Sequence, residues 1–127
     1  MKTILAISLT LSLTTPALAE DWKYVLTAPD NSFKQYVDRD NIDKRGSKVS
    51  FWKLTEYRRP MRGTDTTKAL VNYVADCNTR RYIQPDNLYF NEYGQQTGRK
   101  LLGTRSPVFY AEPGSVIDKS LQYVCGY

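Results

Sequence analysis

Two cysteines constrain this chain more than anything else in it, because each sits on a segment of different periodicity. Ala69 to Tyr82, ALVNYVADCNTRRY, reads as a strand. Ala69, Val71, Tyr73, Ala75 and Cys77 alternate onto one face, among β-branched and aromatic neighbours. Pro113 to Cys125, PGSVIDKSLQYVC, reads as a helix, with Val116, Ile117, Ser120, Leu121, Val124 and Cys125 on a single stripe. Pro113 and Gly114 stop the preceding chain. Ser115 can cap the helix, and Asp118 three positions on completes a capping box. The simplest inference is a helix laid across one face of a sheet and tied there by a Cys77–Cys125 disulfide. The 49 residues from Cys77 to Cys125 form the loop such a bond would close. A thiol redox pair or a zinc site are the alternatives. The cysteines lack C-x-x-C spacing, and the chain has no histidine to complete a zinc site.

The first nineteen residues read as a targeting segment rather than as fold. Lys2 supplies a positive start, Thr3 to Leu13 is an apolar run too short to span a bilayer stably, and Ala17-Leu18-Ala19 is an A-x-A cleavage signal. Residues 1–19 are therefore expected to be a cleaved signal peptide, and residues 20–127 the domain. No cysteine follows the cleavage site to carry a lipid anchor, and no twin arginine is present. Export to the periplasm or beyond meets oxidising surroundings, in keeping with a disulfide. The domain carries 17 Lys and Arg against 13 Asp and Glu, a net charge of +4. That mildly basic balance favours anionic surfaces without requiring nucleic acid.

Taken in order, the domain is a succession of short strands. Asp21 to Leu26, Phe33 to Asp38 and Val49 to Arg58 are strand candidates. Turn-rich APDNS separates the first two, and polar DKRGSK, with Gly46 free to take positive φ, precedes the third. Val49, Phe51 and Tyr57 share one face of the third strand and Trp52 and Leu54 the other, which suggests a central position. Arg59 to Thr67 is a loop. Asn78 to Arg81 either continues the strand from Lys68 or turns it. Pro85-Asp86-Asn87 is expected to be a turn, Leu88 to Tyr93 a strand, Arg99 to Leu102 a weak strand, and Ser106 to Glu112 an extended lead-in to the helix. The fold class is α+β, mostly β: a single antiparallel sheet of about five to seven short strands with a C-terminal helix tethered to one face.

The chemistry points to binding rather than catalysis. Without histidine, Ser-His and Cys-His catalysis are unavailable, and no nucleotide-binding loop is present. Asp38, Asp40 and Asp43 with Asn41 miss the spacing of a calcium loop. No cofactor or metal is expected. The positive features are basic residues near aromatics: Arg58, Arg59 and Arg62 in one loop, Arg80 and Arg81 beside Tyr82, and a looser group of Arg99, Lys100 and Arg105. These could grip an anionic glycan, an envelope phosphate or an acidic protein, with tyrosines adding contact area. Solvated loop charges are the plainer account of each group. The two edges of an open sheet also make a homodimer conceivable.

These residues resemble a known family, the surface-adhesin protein E-like domain of bacterial exported proteins. Tyr36-Val37-Asp38 followed by Ile42 looks like its Y-V-D…I segment. Val49 to Tyr57, with Trp52 inside and Pro60 after it, is similar to V-x-V-W-x-L-x-D-Y. Asp76-Cys77 with Arg80-Arg81-Tyr82 resembles D-C-x-x-R-R-Y, and Pro113-Gly114-Ser115-Val116 to Val124-Cys125 resembles the closing P-G-S-V…V-C. The resemblance implies an antiparallel sheet with the helix held to its concave face by the disulfide. It also implies a non-enzymatic exported binding module, like the outer-surface adhesin of the family that contacts host matrix and serum proteins. The alternative is a periplasmic structural or envelope-associated interaction protein with no role in host adhesion. That adhesin is lipid-anchored, and this chain departs from it in lacking the anchor cysteine. No nucleic-acid partner and no transmembrane segment are expected.

Overall fold

The computed structural model describes residues 21–127, so the predicted signal peptide, residues 1–19, lies outside the described residues. Eight strands form one antiparallel sheet. They are β1 (Trp22–Thr27), β2 (Phe33–Asp38), β3 (Asp43–Arg45), β4 (Lys48–Tyr57), β5 (Thr66–Asp76), β6 (Arg81–Asn91), β7 (Gln96–Leu101) and β8 (Phe109–Tyr110). The order across the sheet is β1-β2-β4-β5-β6-β7, with β3 also on β4 and β8 also on β6. Among the described residues one α-helix, α1 (Val116–Cys125), follows every strand.

The two longest neighbours, β4 and β5, pair from Lys48↔Asp76 to Glu56↔Lys68 without interruption. Their inward residues are Val49, Phe51, Lys53 and Thr55 on β4 and Ala69, Val71, Tyr73 and Ala75 on β5, all buried. Trp52 and Leu54 face the other way and are only partly covered. That is the pattern of a central strand in a sheet with one packed face. Over this face lie Leu121 and Val124 of α1, against Val37, Val49, Phe51, Ala75 and Ala111. Removing Leu121 from water contributes about 1.5–3 kcal/mol.

Two expectations need correction. Pro85-Asp86-Asn87 is not a turn but lies inside β6. A register shift between Asn72 and Val74 on β5 falls opposite Pro85, so its missing N–H takes no bond from the ladder, while its carbonyl accepts from Leu102 N at 2.8 Å. The turn lies earlier. Asp76 Oδ1 accepts from Asn78 N at 2.8 Å and Thr79 N at 3.1 Å, closing the β5–β6 hairpin at Asn78 to Arg80. Asp118 also behaves differently from a capping-box acid. Ser115 Oγ accepts from Asp118 N at 3.3 Å as expected, but the Asp118 carboxylate accepts from Gly114 N at 2.9 Å rather than from Ser115 N. Asp118 is 2 % exposed although it lies off the predicted stripe, whereas Val116, on the stripe, is 38 % exposed.

The Cys77–Cys125 disulfide ties the β5–β6 turn to the end of α1, with the two Cα atoms 5.7 Å apart. On the chain-entropy account a link closing a loop of this length stabilises by about 4 kcal/mol. Cys77→Ser is therefore expected to lower the unfolding free energy by about that much. Urea denaturation of parent and variant, followed by far-UV circular dichroism, measures it. An unchanged midpoint would show that the bond does not hold α1 in place.

Candidate functional site

The two arginine groups lie at opposite ends of the sheet. Arg58, Arg59 and Arg62 occupy the β4–β5 connection, and Arg80 and Arg81 the β5–β6 connection. The eleven residues of β5 separate them, about 33 Å at the usual strand rise. They are therefore two surfaces, not one patch.

The β4–β5 connection is built by its own backbone. Arg58 N donates to Ser32 O at 2.9 Å, Met61 N to Thr66 O at 2.8 Å, and Thr64 N to Met61 O at 2.9 Å. Gly63, at φ 77°, supplies the left-handed residue the reversal requires. This leaves an open groove of about 510 Å³, lined by Asp30, Tyr57, Arg58, Pro60, Met61 and Arg62, with Arg59 beside them. The ion pairs among the described residues are Arg39–Asp21, Arg45–Asp43, Arg80–Asp118 and Arg99–Asp86, so none of the three groove arginines is in one. The one acid on the rim is Asp30. Hydrogen bonds from the Ser32 side chain and then its amide hold the Asp30 carboxyl below its usual range. Cations therefore outnumber anions here.

Arg80 is committed to the fold. It sits at φ 63°, its guanidinium is bonded to Asp118, and it lies 4.6 Å from the Tyr127 ring centroid. Asp118 also accepts from Gln122 Nε2 at 3.0 Å. The Gly114 amide first, with Arg80 and Gln122 after it, holds the Asp118 carboxyl below its usual range. Tyr82 is likewise structural. It stands in a row of rings, Phe51–Tyr73–Tyr82–Phe109, with successive centroids 5.2, 5.7 and 5.4 Å apart. Arg81 alone of this trio is exposed and outside any ion pair among the described residues. In the looser third group, Arg99 pairs with Asp86 at 2.9 Å.

One residue was missed in the sequence. Lys53 stands on the inward face between Phe51 and Thr55, is 2 % exposed, and places its Nζ 4.7 Å from the Tyr73 ring centroid. Diagonally across on β2, Gln35 donates to Thr55 Oγ1 at 3.2 Å while its own Oε1 finds no partner. The signal was present: a lysine at an inward position of an alternating strand. Among the described residues no set of His, Cys, Asp or Glu could hold a metal, and no helix is long and apolar enough to cross a membrane.

The family model for surface-adhesin protein E matches residues 22–126. The chain belongs to the surface-adhesin protein E family. Two crystal structures of Haemophilus influenzae protein E share the fold. Crystal form II matches with a TM-score of 0.62 at 12% identity, over 88% of this chain and 94% of that one. The other matches with a TM-score of 0.56 at 13% identity, over 88% and 90%. No curated protein matches the chain. The family match supports a surface-adhesin-like protein.

Burial lowers the Lys53 ammonium to about 7. A lysine of ordinary pKa, near 10.4, in the unfolded chain then binds more protons than the folded one between these two values. Stability is accordingly expected to rise with pH from about 7 towards 10, by on the order of 3–5 kcal/mol for this group alone. Lys53→Met should remove that slope and stabilise most below pH 7. Urea midpoints at pH 6 and pH 9 measure both effects, and parallel pH profiles for parent and variant would contradict them.

Proposed function

We propose that this protein is a non-enzymatic binding module, exported through a cleaved segment at residues 1–19, that contacts an anionic protein or glycan through the β4–β5 groove. The observation that carries the reading is the set of three exposed arginines, Arg58, Arg59 and Arg62, around an apolar floor of Tyr57, Pro60 and Met61. Guanidinium groups outside ion pairs can form charge-assisted, bidentate hydrogen bonds to carboxylate, sulfate or phosphate, and the apolar floor adds contact area without an opposing charge. The family's character as surface adhesins supports binding over catalysis, and host matrix or serum proteins are the partner class its outer-surface member suggests.

The test is solid-phase binding of the purified mature protein to heparin, and to a panel of matrix and serum proteins, at low and high salt. Binding should weaken steeply with salt, since screening acts strongly on exposed charges. Replacing Arg58, Arg59 and Arg62 together by Glu should reduce it at least tenfold with the melting temperature nearly unchanged. Equal binding by parent and variant would remove the groove from the account. Protease treatment of intact cells, beside an osmotic-shock fraction, decides the compartment. Digestion on intact cells accords with host adhesion, and protection until the outer membrane is opened turns the reading to an envelope partner.

A further inference from the structure

The geometry points to β8 as a docking edge for an extended, acid-bearing peptide segment, which would add to the sheet as a further strand. This site is separate from the basic groove and does not depend on it. The two ends of the main strand order carry features that discourage pairing. A register shift between Tyr24 and Leu26 breaks β1, which also carries Lys23, and β7 carries Arg99 and Lys100. β8 is short and follows Pro107, but it carries neither a register shift nor a charge. Ser106 to Ala111 contains no charged residue, and Val108, Phe109 and Tyr110 are 66 %, 39 % and 50 % exposed in succession.

The backbone of β8 is oriented for pairing. It pairs with β6 through Arg81↔Tyr110 and Tyr82↔Phe109, and Ala111 N donates to Arg80 O at 2.8 Å. Residues along an antiparallel strand alternate in the direction their amide and carbonyl point. With Ala111 turned towards β6, the N–H and C=O of Tyr110 point away from it. An incoming strand would find a donor and an acceptor there, with Phe109 on one face and Val108 on the other.

The surroundings select the occupant's charge. Val108 borders a groove of about 280 Å³ with Val74, Ile83, Lys48, Arg81 and Asp76. The Asp76 carboxylate is occupied by the amides of its own turn. Lys48 and Arg81 are exposed and lie outside the ion pairs of the described residues. An apolar residue against Val108 followed by a carboxylate towards Arg81 completes both halves of the groove. Main-chain pairing with alternate side-chain pockets is a recurring mode of peptide recognition.

The experiment titrates the mature protein, isotope-labelled, with a capped synthetic peptide of alternating valine and threonine carrying one central glutamate. A peptide with lysine at that place is the control. The glutamate peptide should bind at least tenfold tighter than the lysine peptide and slow amide exchange at Tyr110 at least tenfold. Arg81→Glu should reverse the preference. Tyr110→Pro should abolish binding, because it deletes the outward N–H that the incoming strand needs, and Val108→Lys gives the same reading should the proline variant fail to fold. Unchanged exchange at Tyr110, or undiminished binding by Val108→Lys, overturns the proposal. So does protection of Tyr110 that rises with protein concentration without peptide, which would make a second copy of the chain the occupant.

Discussion

The structure depends on the joint between the β5–β6 turn and the C-terminal helix. Three interactions meet there within a few residues: the Cys77–Cys125 bond, the Arg80–Asp118 ion pair, and the Ala111 amide on the Arg80 carbonyl. Each ties the last part of the chain to the same reversal. Arg80 adopts a left-handed backbone that costs an L-residue roughly 1–2 kcal/mol, and it keeps that conformation because both its carbonyl and its guanidinium are held. The Asp118 carboxylate, nearly sealed from water, is stabilised by the Gly114 amide and Gln122 as well as by Arg80. Without the joint, α1 would have only a short apolar stripe to keep it on the sheet.

The size of the helix explains the composition of the inward face. Ten helical residues span about 15 Å, while the eleven of β5 span about 33 Å. α1 can cover less than half of the sheet's length. Under it the face is apolar: Val37, Val49, Phe51 and Ala75 meet Leu121 and Val124 of the helix. Towards the β4–β5 end the same strands bring in Gln35, Lys53 and Thr55, and β6 adds Asn87. Lys53 is the extreme case, an amine buried over an aromatic face and not against a carboxylate. The tyrosines suit this gradient, with rings that pack and hydroxyls that reach polar partners, as Tyr73 does to Gln84 at 3.2 Å.

Much of this was legible in the residues. The alternation of Ala69, Val71, Tyr73 and Ala75 gave the inward face of β5, and Ser115 marked the helix start, because both signals are local. The boundary of β6 was not legible. Pro85 reads as a stop, and only the register shift on its partner strand makes it tolerable inside a ladder. Side-chain commitments were hidden for the same reason. Arg80 and Arg81 are adjacent and chemically identical, yet one is bound to a helix 38 residues away while the other faces solvent. Lys53 was visible as an inward position but carried no mark of how deeply it would be covered. Distant contacts decide such questions, and no window of sequence contains them.

The position of α1 in the chain also sets the order of assembly. Every strand precedes it, and each main strand pair joins neighbours close in sequence, apart from β2 with β4 and β6 with β8. A chain emerging from its N-terminal end can zip its hairpins progressively, since these contacts are local. The core cannot close until Leu121 and Val124 arrive, and the covalent tie must wait for Cys125. Until then Phe51 and Val49 stay open to water on a half-built sheet, a state prone to sticking to other chains. Completion is thus all in α1, and the sheet is locked by the element that follows all of its strands.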